Sequence, residues 1–224
     1  MAAPPGDTSK DRIYKNVRRS IILDVLKPGE RLNLDELAIQ YNTSVTPVRE
    51  ALQMLIQEGL VVNKPHAGFY VVKVTLKNLR DMLELREILE VAAVERAALR
   101  ITDEQLAALE NVHAGYTDDG NTAQERYLEE NRRFHYLIAL ASGNRELAES
   151  LKRLHDRLAR FFIFIHTGEE IEKRHKRLIE SLRSGDIDSA RQTILDEVNE
   201  TRQITLEHVI HEDGAAWYVG AQSD

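Results

Sequence analysis

The chain of 224 residues contains no cysteine, which excludes disulfide bonds, thiolate metal sites and thiol catalysis. Its hydrophobic fraction of 42% is enough to fill the core of one large domain or of two modest ones. No stretch approaches the roughly 18 uninterrupted apolar residues of a membrane span, and the polar start, MAAPPGDTSKD, lacks the apolar segment of a signal peptide. We therefore expect a soluble, cytoplasmic protein with no membrane contact.

The charge is distributed unevenly along the chain. The formal net charge is −7, which by itself argues against a nucleic-acid binder. Residues 1–74, however, hold 10 Lys and Arg against 8 Asp and Glu, whereas residues 75–224 hold 20 against 29. The N-terminal part is therefore the one suited to approach phosphates, and the acidic remainder is better suited to binding a ligand or a second copy of the chain.

The beginning of the chain predicts a short tail and a first helix. Residues 1–10 include two prolines and several small polar residues, and we expect them to be disordered. Apolar residues recur on one face from Arg12 to Val25, which predicts a helix over that range. The turn KPGE, at residues 27–30, ends it.

The stretch NLDELAIQYNTSVTPVREALQMLIQEGL predicts two short helices. Asn33 can cap the first, and Glu36 stands three residues on, at the spacing of a capping box. Ser44 can cap the second, Pro47 suits its first turn, and Gly59 ends it. Small hydroxyl residues and an arginine at the start of the second helix are suited to phosphates and base edges.

Two short β-prone runs follow the helix pair. Leu60–Val62 and Phe69–Val72 are separated by the turn-rich segment NKPHAG, which predicts a β-hairpin. Three helices followed by a hairpin are typical of a winged helix-turn-helix. We expect this DNA-binding domain to span residues 11–74.

The remainder of the chain predicts only helices, in an all-α bundle over residues 75–212. Thr102 with Gln105 has the spacing of a capping box, and the sequence SGN at residues 142–144 breaks the helical pattern. A last helix follows Gly185 and reaches Glu212, and we expect a loose tail over residues 213–224. The other predicted helices are 76–99, 102–116, 122–140, 144–165 and 169–182. The overall fold class is therefore mainly α.

The segment KPGERLNLDELAIQYNTSVTPVREALQMLIQEGLVVNKPHAGFYV resembles the DNA-binding domain of GntR-family bacterial transcription regulators. The PGERL turn, the TPVREAL helix and the EGLV wing carry the resemblance. It implies that the following residues face DNA: Arg31, Ser44, Thr46, Arg49, His66 and Gly68. The alternative is a winged fold that is used only for protein contacts.

One position departs from the family pattern. Many members carry arginine after the serine of the recognition helix, and here Val45 stands in its place. A bidentate arginine–guanine pair contributes about 1–3 kcal/mol of base discrimination. We therefore expect a shifted operator preference that depends more on Arg49 and on hydroxyl contacts.

The second half is similar to the all-helical ligand-binding domain of the FadR subfamily, the type named FCD. Three segments carry this resemblance: LRDMLELREILEVAAVERAA, NRRFHYLIALASGN and EKRHKRLIESLRSGDIDSARQTILDEV. Many FCD domains hold a divalent metal on one Asp and three His. The matching positions are Asn131, His135, His175 and Glu197, so two of the four differ.

The altered ligand set leaves two possibilities open. Two imidazoles and one carboxylate form a plausible site for zinc, nickel or manganese, although an Asn carbonyl is a poor ligand for a transition metal. Alternatively, His135 and His175 are hydrogen-bonded core histidines. The other histidines show no ligand spacing apart from His208 and His211, which are three residues apart; the remaining ones are His113, His155 and His166.

The resemblance also implies a ligand pocket. Arg86 matches a family arginine that reaches toward a carboxylate ligand, but Glu90 at i+4 offers it a salt bridge instead. Asn144 is expected chiefly to cap a helix, and the resemblance implies a lesser role for it in lining the pocket.

These observations predict a homodimeric transcription regulator, a repressor, that binds a double-stranded DNA operator and senses a small organic acid. The alternatives are a constitutive DNA-binding dimer with a structural bundle and, remotely, a metal-dependent hydrolase. No HExxH, GxSxG or glycine-rich phosphate loop occurs, so we expect no enzyme.

Overall fold

The computed structural model describes residues 8–112, 121–162 and 168–212. They form two compact units, which divide between Thr75 and Leu76. This boundary lies one residue from the expected one. The predicted loop at residues 118–120 and the tail at 213–224 lie outside the described residues.

The first unit contains three helices and a small sheet within its described residues. The elements are α1 (Ser9–Ile22), β1 (Arg31–Leu32), α2 (Leu34–Gln40), α3 (Val45–Gln57), β2 (Val61–Lys64) and β3 (Gly68–Val71). The strands form an antiparallel sheet in the order β1-β3-β2. The winged helix-turn-helix topology is confirmed, with one strand more than the predicted hairpin.

Helix α1 lies about three residues earlier than predicted. Thr8 and Asp11 form a complete capping box, in which each side chain accepts a hydrogen bond from the other residue's backbone N–H at 3.2 Å. The expectation that residues 1–10 are all disordered is therefore wrong for Thr8–Lys10. The helix ends at Ile22 because Asp24 adopts a left-handed backbone, with φ of +56°.

The caps of α2 and α3 differ in detail from the predicted ones. Asn33 accepts from the backbone N–H of Asp35 at 3.0 Å and donates to the Glu36 side chain at 2.9 Å, so the capping box is incomplete. Ser44 occupies the N-cap of α3, but its side chain accepts no hydrogen bond from the helix. Gly59, with φ of +74°, follows the last turn of α3, as predicted.

The second unit contains six helices within the described residues. They are α4 (Leu76–Ala97), α5 (Asp103–Glu110), α6 (Asn121–Ala141), α7 (Arg145–Phe162), α8 (Gly168–Ser184) and α9 (Ile187–Glu212). Thr102 and Gln105 form the predicted capping box. Helix α5 ends at Glu110 rather than near Tyr116, and Asn121 belongs to α6 rather than to a loop.

Helix α4 is central to the bundle and packs against α6, α7 and α9. Glu95 and Glu87 on α4 pair with Arg191 and Arg202 on α9, so these two helices run antiparallel. Each unit has its own buried apolar core, as its composition predicted. None of the helices in the described ranges is long and apolar enough to cross a membrane.

Candidate functional site

The start of helix α3 presents an exposed polar surface. Ser44, Thr46 and Arg49 are exposed, whereas Val48 and Leu52 on the opposite face are completely buried. The hydroxyl of Ser44 is not used for capping, so it remains available to an external acceptor or donor. Hydroxyls and a guanidinium at a helix N-terminus can contact phosphates and base edges.

Val45 does not project into solvent with these residues. Its side chain is half-buried and packs against the apolar core of the first unit. The valine thus contributes to the packing at the start of α3 and has no polar group with which to contact a guanine.

The hairpin tip is held in an unusual backbone conformation. His66 has φ of +60° and Gly68 has φ of +101°, a value that strongly favours glycine. A Cβ on Gly68 would lie 3.8 Å from Nε of Arg31, so the exposed Arg31 stands beside the wing. At the tip, the Lys64 ammonium lies 4.8 Å from the ring centre of Tyr70. Arg31 and Lys64 therefore place two positive charges beside the hairpin tip that His66 and Gly68 form.

A cluster of charged and imidazole side chains lies in the core of the second unit. His135, His175 and Glu197 come together from α6, α8 and α9, and all three are at most 2% exposed. Nε2 of His135 lies 3.0 Å from Oε1 of Glu197, and Nε2 of His175 lies 3.7 Å from Oε2. Three of the four family metal positions therefore converge.

The donor atoms fit a metal ion. Ligands about 2.0–2.2 Å from zinc lie about 3.0–3.6 Å from one another at tetrahedral or octahedral angles, close to the two observed separations. Oε2 of Glu197 is buried and makes no hydrogen bond within the described part of the chain, and Nε2 of His135 faces the other oxygen of the same carboxylate. Phe134 stacks on the His175 ring at 3.7 Å and fixes its orientation. The set of two imidazoles and a carboxylate suits zinc, nickel or manganese.

The fourth family position is less well defined. Asn131 lies one turn before His135 on α6 and is 9% exposed, and its buried Oδ1 has no hydrogen-bond partner among the described residues. Asn144, in contrast, is exposed and accepts from the backbone N–H of Leu147 at 3.1 Å. It therefore caps α7 and is not buried with the cluster.

Two residues that the sequence analysis did not select complete the cluster. Oε2 of Glu90 lies 3.0 Å from Nδ1 of His135, and Oε1 of Glu90 lies 2.8 Å from Nε2 of His155. All three side chains are at least 96% buried. Glu90 therefore fixes the ring of His135 from the side opposite Glu197, the arrangement in which a carboxylate orients a metal-binding histidine.

Arg86 forms the salt bridge with Glu90 that the sequence offered as one alternative, and it also faces Glu197. Its guanidinium lies 3.5 Å from Glu90 and 3.4 Å from Glu197, and the side chain is only 1% exposed. These contacts are long for charge-assisted hydrogen bonds. Nη1 is buried without a hydrogen-bond partner in the described ranges, so the arginine has a donor left to offer.

The charges of the cluster shift one another's pKa values. Burial opposes ionisation of Glu90, but the facing His135 and the hydrogen bonds from both histidines outweigh it and hold the pKa of Glu90 well below its ordinary range. Burial likewise opposes the charged form of Glu197, yet His135, His175 and Arg86 lower its pKa to about 2.

The two histidines that contact Glu90 respond in opposite ways. Burial disfavours a charged His135, but Glu90 and Glu197 on its two sides outweigh this and raise its pKa to about 9. For His155, burial dominates and lowers the pKa to about 4. A protonated His135 thus lies between the carboxylates of Glu90 and Glu197, and its Nε2 faces Glu197, where a metal ion would take the place of the proton.

Comparison with known proteins assigns both units. Residues 9–71 match the model of the bacterial regulatory proteins of the gntR family, and residues 81–199 match that of the FCD domain. The second match alone covers more than half of the chain.

The chain belongs to the GntR family and carries an FCD domain.

Several relatives support this GntR assignment along nearly the whole chain. The transcriptional regulator YdhC of Bacillus subtilis is 29% identical over 213 residues, covering 90% of this chain and 92% of that protein. The transcriptional repressor RspR of Escherichia coli is 29% identical over 214 residues, covering 91% and 93%. The repressor GlaR of the same species is 30% identical over 172 residues, covering 72% and 78%.

A solved structure agrees with the fold of this GntR chain. The structure of E. coli McbR/YncC superimposes with a TM-score of 0.69 at 24% identity, covering 90% of this chain and 99% of that one. As a member of the family, the chain is a DNA-binding transcription regulator and not an enzyme, so the hydrolase alternative falls.

The role of Glu90 in this GntR chain can be tested by replacing it with Gln in metal-free protein. Glu90→Gln removes the negative charge 3.0 Å from His135, and we expect the pKa of His135 to fall by at least about one unit. Titration of the His135 ring proton, followed by nuclear magnetic resonance, measures this pKa. Glu87→Gln, on the same helix but paired with Arg202, is the control and should leave the value unchanged. An unaltered His135 in Glu90→Gln would contradict the assignment.

Proposed function

We propose that the chain is a ligand-responsive repressor whose FCD domain senses a small organic acid and thereby controls operator binding. The observation that supports this most strongly is the buried cluster of Arg86, His135, His175 and Glu197, in which Nη1 of Arg86 and Oε2 of Glu197 have no hydrogen-bond partner among the described residues. The similar proteins RspR and GlaR are named repressors, which favours repression over activation.

The first unit supplies the DNA contact in this proposal. The exposed Ser44, Thr46 and Arg49 enter the major groove with the start of α3, and Arg31, His66 and the turn at Gly68 approach the neighbouring backbone. With Val45 packed against the core, Arg49 is the remaining guanidinium on the recognition helix. Base discrimination therefore depends on Arg49 more than on any other contact of α3.

Arg49→Ala is the direct test of this surface. We expect binding to an operator selected by the native chain from a random duplex library to weaken by at least tenfold, to the level of unrelated DNA, because the base-reading guanidinium is lost. Fluorescence anisotropy at fixed salt measures it. Arg80→Ala, an exposed arginine on α4, is the control and should bind as the native chain does. Sequence-specific affinity retained in Arg49→Ala would overturn the proposal.

A divalent metal would complete the sensor. Nε2 of His135, Nε2 of His175 and the Glu197 carboxylate would hold it, with Asn131 one turn away on α6. The ion would supply a Lewis-acidic point for an oxygen ligand. A divalent charge in place of the His135 proton would leave Arg86, Glu90 and Glu197 in a cluster with one net positive charge. An organic anion, met by Nη1 of Arg86, would neutralise it.

His135→Ala combined with His175→Ala tests the metal centre. We expect the native chain, dialysed against zinc, nickel or manganese and then desalted, to retain about one ion per chain. The double variant should retain almost none, because it lacks both imidazole ligands. Elemental analysis measures the content, and circular dichroism checks the fold. His211→Ala, an exposed histidine, is the control. Unchanged metal content in the double variant would place the ions elsewhere.

The second candidate is a constitutive DNA-binding dimer with a structural bundle. The observation that favours it is the pairing within the metal-free cluster, in which Glu90 already contacts two histidines. In that case no ion is retained by the native chain, and no organic acid changes its affinity for the selected operator.

A homodimer is supported by an exposed apolar stripe on α4. Leu85 is 44% exposed and Ile88 is 58% exposed, while Ala92 is half-buried and Leu99 follows just after the helix at 68% exposed. These positions are separated by three, four and seven residues, the spacing of a helix–helix seam. We assign this stripe to contact with the same stripe of a second copy.

Ile88→Glu tests the seam. A charge in the middle of the apolar stripe should weaken self-association by at least tenfold, because the carboxylate would lose its water on association. Sedimentation across a concentration series measures the change. Val25→Glu places the same charge at an exposed apolar residue of the first unit and serves as the control. If Ile88→Glu self-associates as strongly as the native chain, this face is not the dimer contact.

A further inference from the structure

Helix α3 has one apolar face and one polar face. Val48 and Leu55 on the apolar face are completely buried in the core of the first unit. The polar face carries exposed side chains at intervals of three or four residues: Thr46, Glu50, Gln53 and Gln57. Residues at this spacing share one side of a helix. The polar face thus continues beyond the three residues at the start of α3 that are assigned to DNA.

The charges of α3 are confined to two neighbouring residues. Arg49 and Glu50 are the only charged side chains among its 13 residues, so the helix brings no net positive charge to the phosphates. Neighbouring residues point about 100° apart around a helix axis. The guanidinium and the carboxylate can therefore approach different base pairs, whereas neither adds to a general attraction for DNA.

The carboxylate of Glu50 is exposed and unpaired within the part of the chain that the structure describes, where no hydrogen bond or ion pair engages it. Phosphates repel a carboxylate that enters a DNA groove, so an unpaired one weakens binding to every duplex. A base edge that donates a hydrogen bond offsets this repulsion. Glu50 therefore acts against all sequences except those that place a donor opposite it.

The rise of the helix separates Glu50 from the later members of the polar face. A recognition helix contacts base edges with its N-terminal residues, in a major groove about 8.5 Å deep. Glu50 lies about 6 Å along the axis from Thr46, which is within that depth. Gln53 lies about 10 Å and Gln57 about 16 Å from Thr46. Glu50 is thus the last charged or polar residue of this face that the groove depth accommodates.

We propose that Glu50 is a specificity-determining residue that recognises a cytosine of the operator. The inference rests on the proposed function, in which the start of α3 enters the major groove. An ionised carboxylate accepts hydrogen bonds and donates none. In the major groove only cytosine N4 and adenine N6 donate, and adenine N6 stands beside the acceptor N7, which repels a carboxylate. Cytosine N4 is therefore the matching partner.

This contact supplies discrimination that Val45 does not. Arg49 favours guanine, which presents two acceptors, and Glu50 favours cytosine, which presents a donor. A wrong base at either position faces a charged group with no partner, and such a group is costly to leave without its hydrogen bond. Two opposite charges on adjacent residues therefore specify two bases and penalise the alternatives.

Glu50→Gln tests the identity of the base. Glutamine keeps the shape of the side chain and adds a donor, and it forms the bidentate pair that favours adenine. We expect one operator position to change from cytosine to adenine, with the other positions unchanged. Sequencing of duplexes selected from a random library by the full-length chain measures this preference. Circular dichroism and the melting temperature check the fold, which should be unaltered because the residue is exposed and unpaired.

Two variants control for other causes. Gln57→Ala alters the same face beyond the reach of the groove, and Asp35→Asn removes one negative charge from an exposed position on α2. Both should select the operator of the native chain. A changed base preference in either control would show that the shift in Glu50→Gln does not report a contact with cytosine.

Glu50→Ala separates recognition from a structural role. We expect binding to unrelated DNA to strengthen about threefold, because the repelled carboxylate is gone. The ratio of operator affinity to unrelated affinity should fall at least tenfold, because the base contact is gone as well. Fluorescence anisotropy at fixed salt measures both affinities. A structural role would instead weaken binding to both duplexes, which would overturn the inference.

The outcomes distinguish this inference from the proposed function. Native base preferences in both Glu50→Gln and Glu50→Ala would overturn the role of Glu50. The proposed DNA contact would still stand if Arg49→Ala loses the operator. Retained operator binding in Arg49→Ala would overturn the proposed contact itself, whatever the Glu50 variants select.

Discussion

The carboxylate of Glu90 is the interaction on which the polar centre of the FCD domain depends. It joins α4 to His135 on α6 and to His155 on α7, and it lies within reach of Arg86. A buried charge is tolerated only when it is paired and hydrogen-bonded, and removal of one partner is strongly destabilising. These contacts therefore fix the relative register of three helices and hold Nε2 of His135 toward Glu197.

Much of the fold could be predicted from local signals. The capping box at Thr102, the glycine stop at Gly59 and the position of the hairpin depend on residues close in sequence, and each appears in the structure. Strand β1 was missed because two residues, Arg31 and Leu32, give no periodic pattern. It exists only through pairing with β3, about 40 residues later, which local pattern cannot predict.

The buried centre was predicted only in part for a related reason. His135, His175 and Glu197 were found through matching positions in the FCD family, and the structure brings them together. Glu90 was expected only as a salt-bridge partner of Arg86, and His155 was given no role, because the two lie on different helices and share no spacing. A usable signal was present in the sequence: Glu90 falls four residues after Arg86, on the same helical stripe as buried apolar residues.

Helix α4 carries part of the buried cluster of the FCD domain and starts where the first unit ends. It begins at Leu76, directly after the first unit ends, and runs without interruption past Arg86 and Glu90. From Leu76 to Arg86 the rise is about 15 Å of continuous helix. A helix of this length resists bending, so Arg86 keeps a fixed position relative to the start of α4 at Leu76. The helix that carries Arg86 and Glu90 thus begins at the peptide bond that joins the FCD domain to the DNA-binding unit.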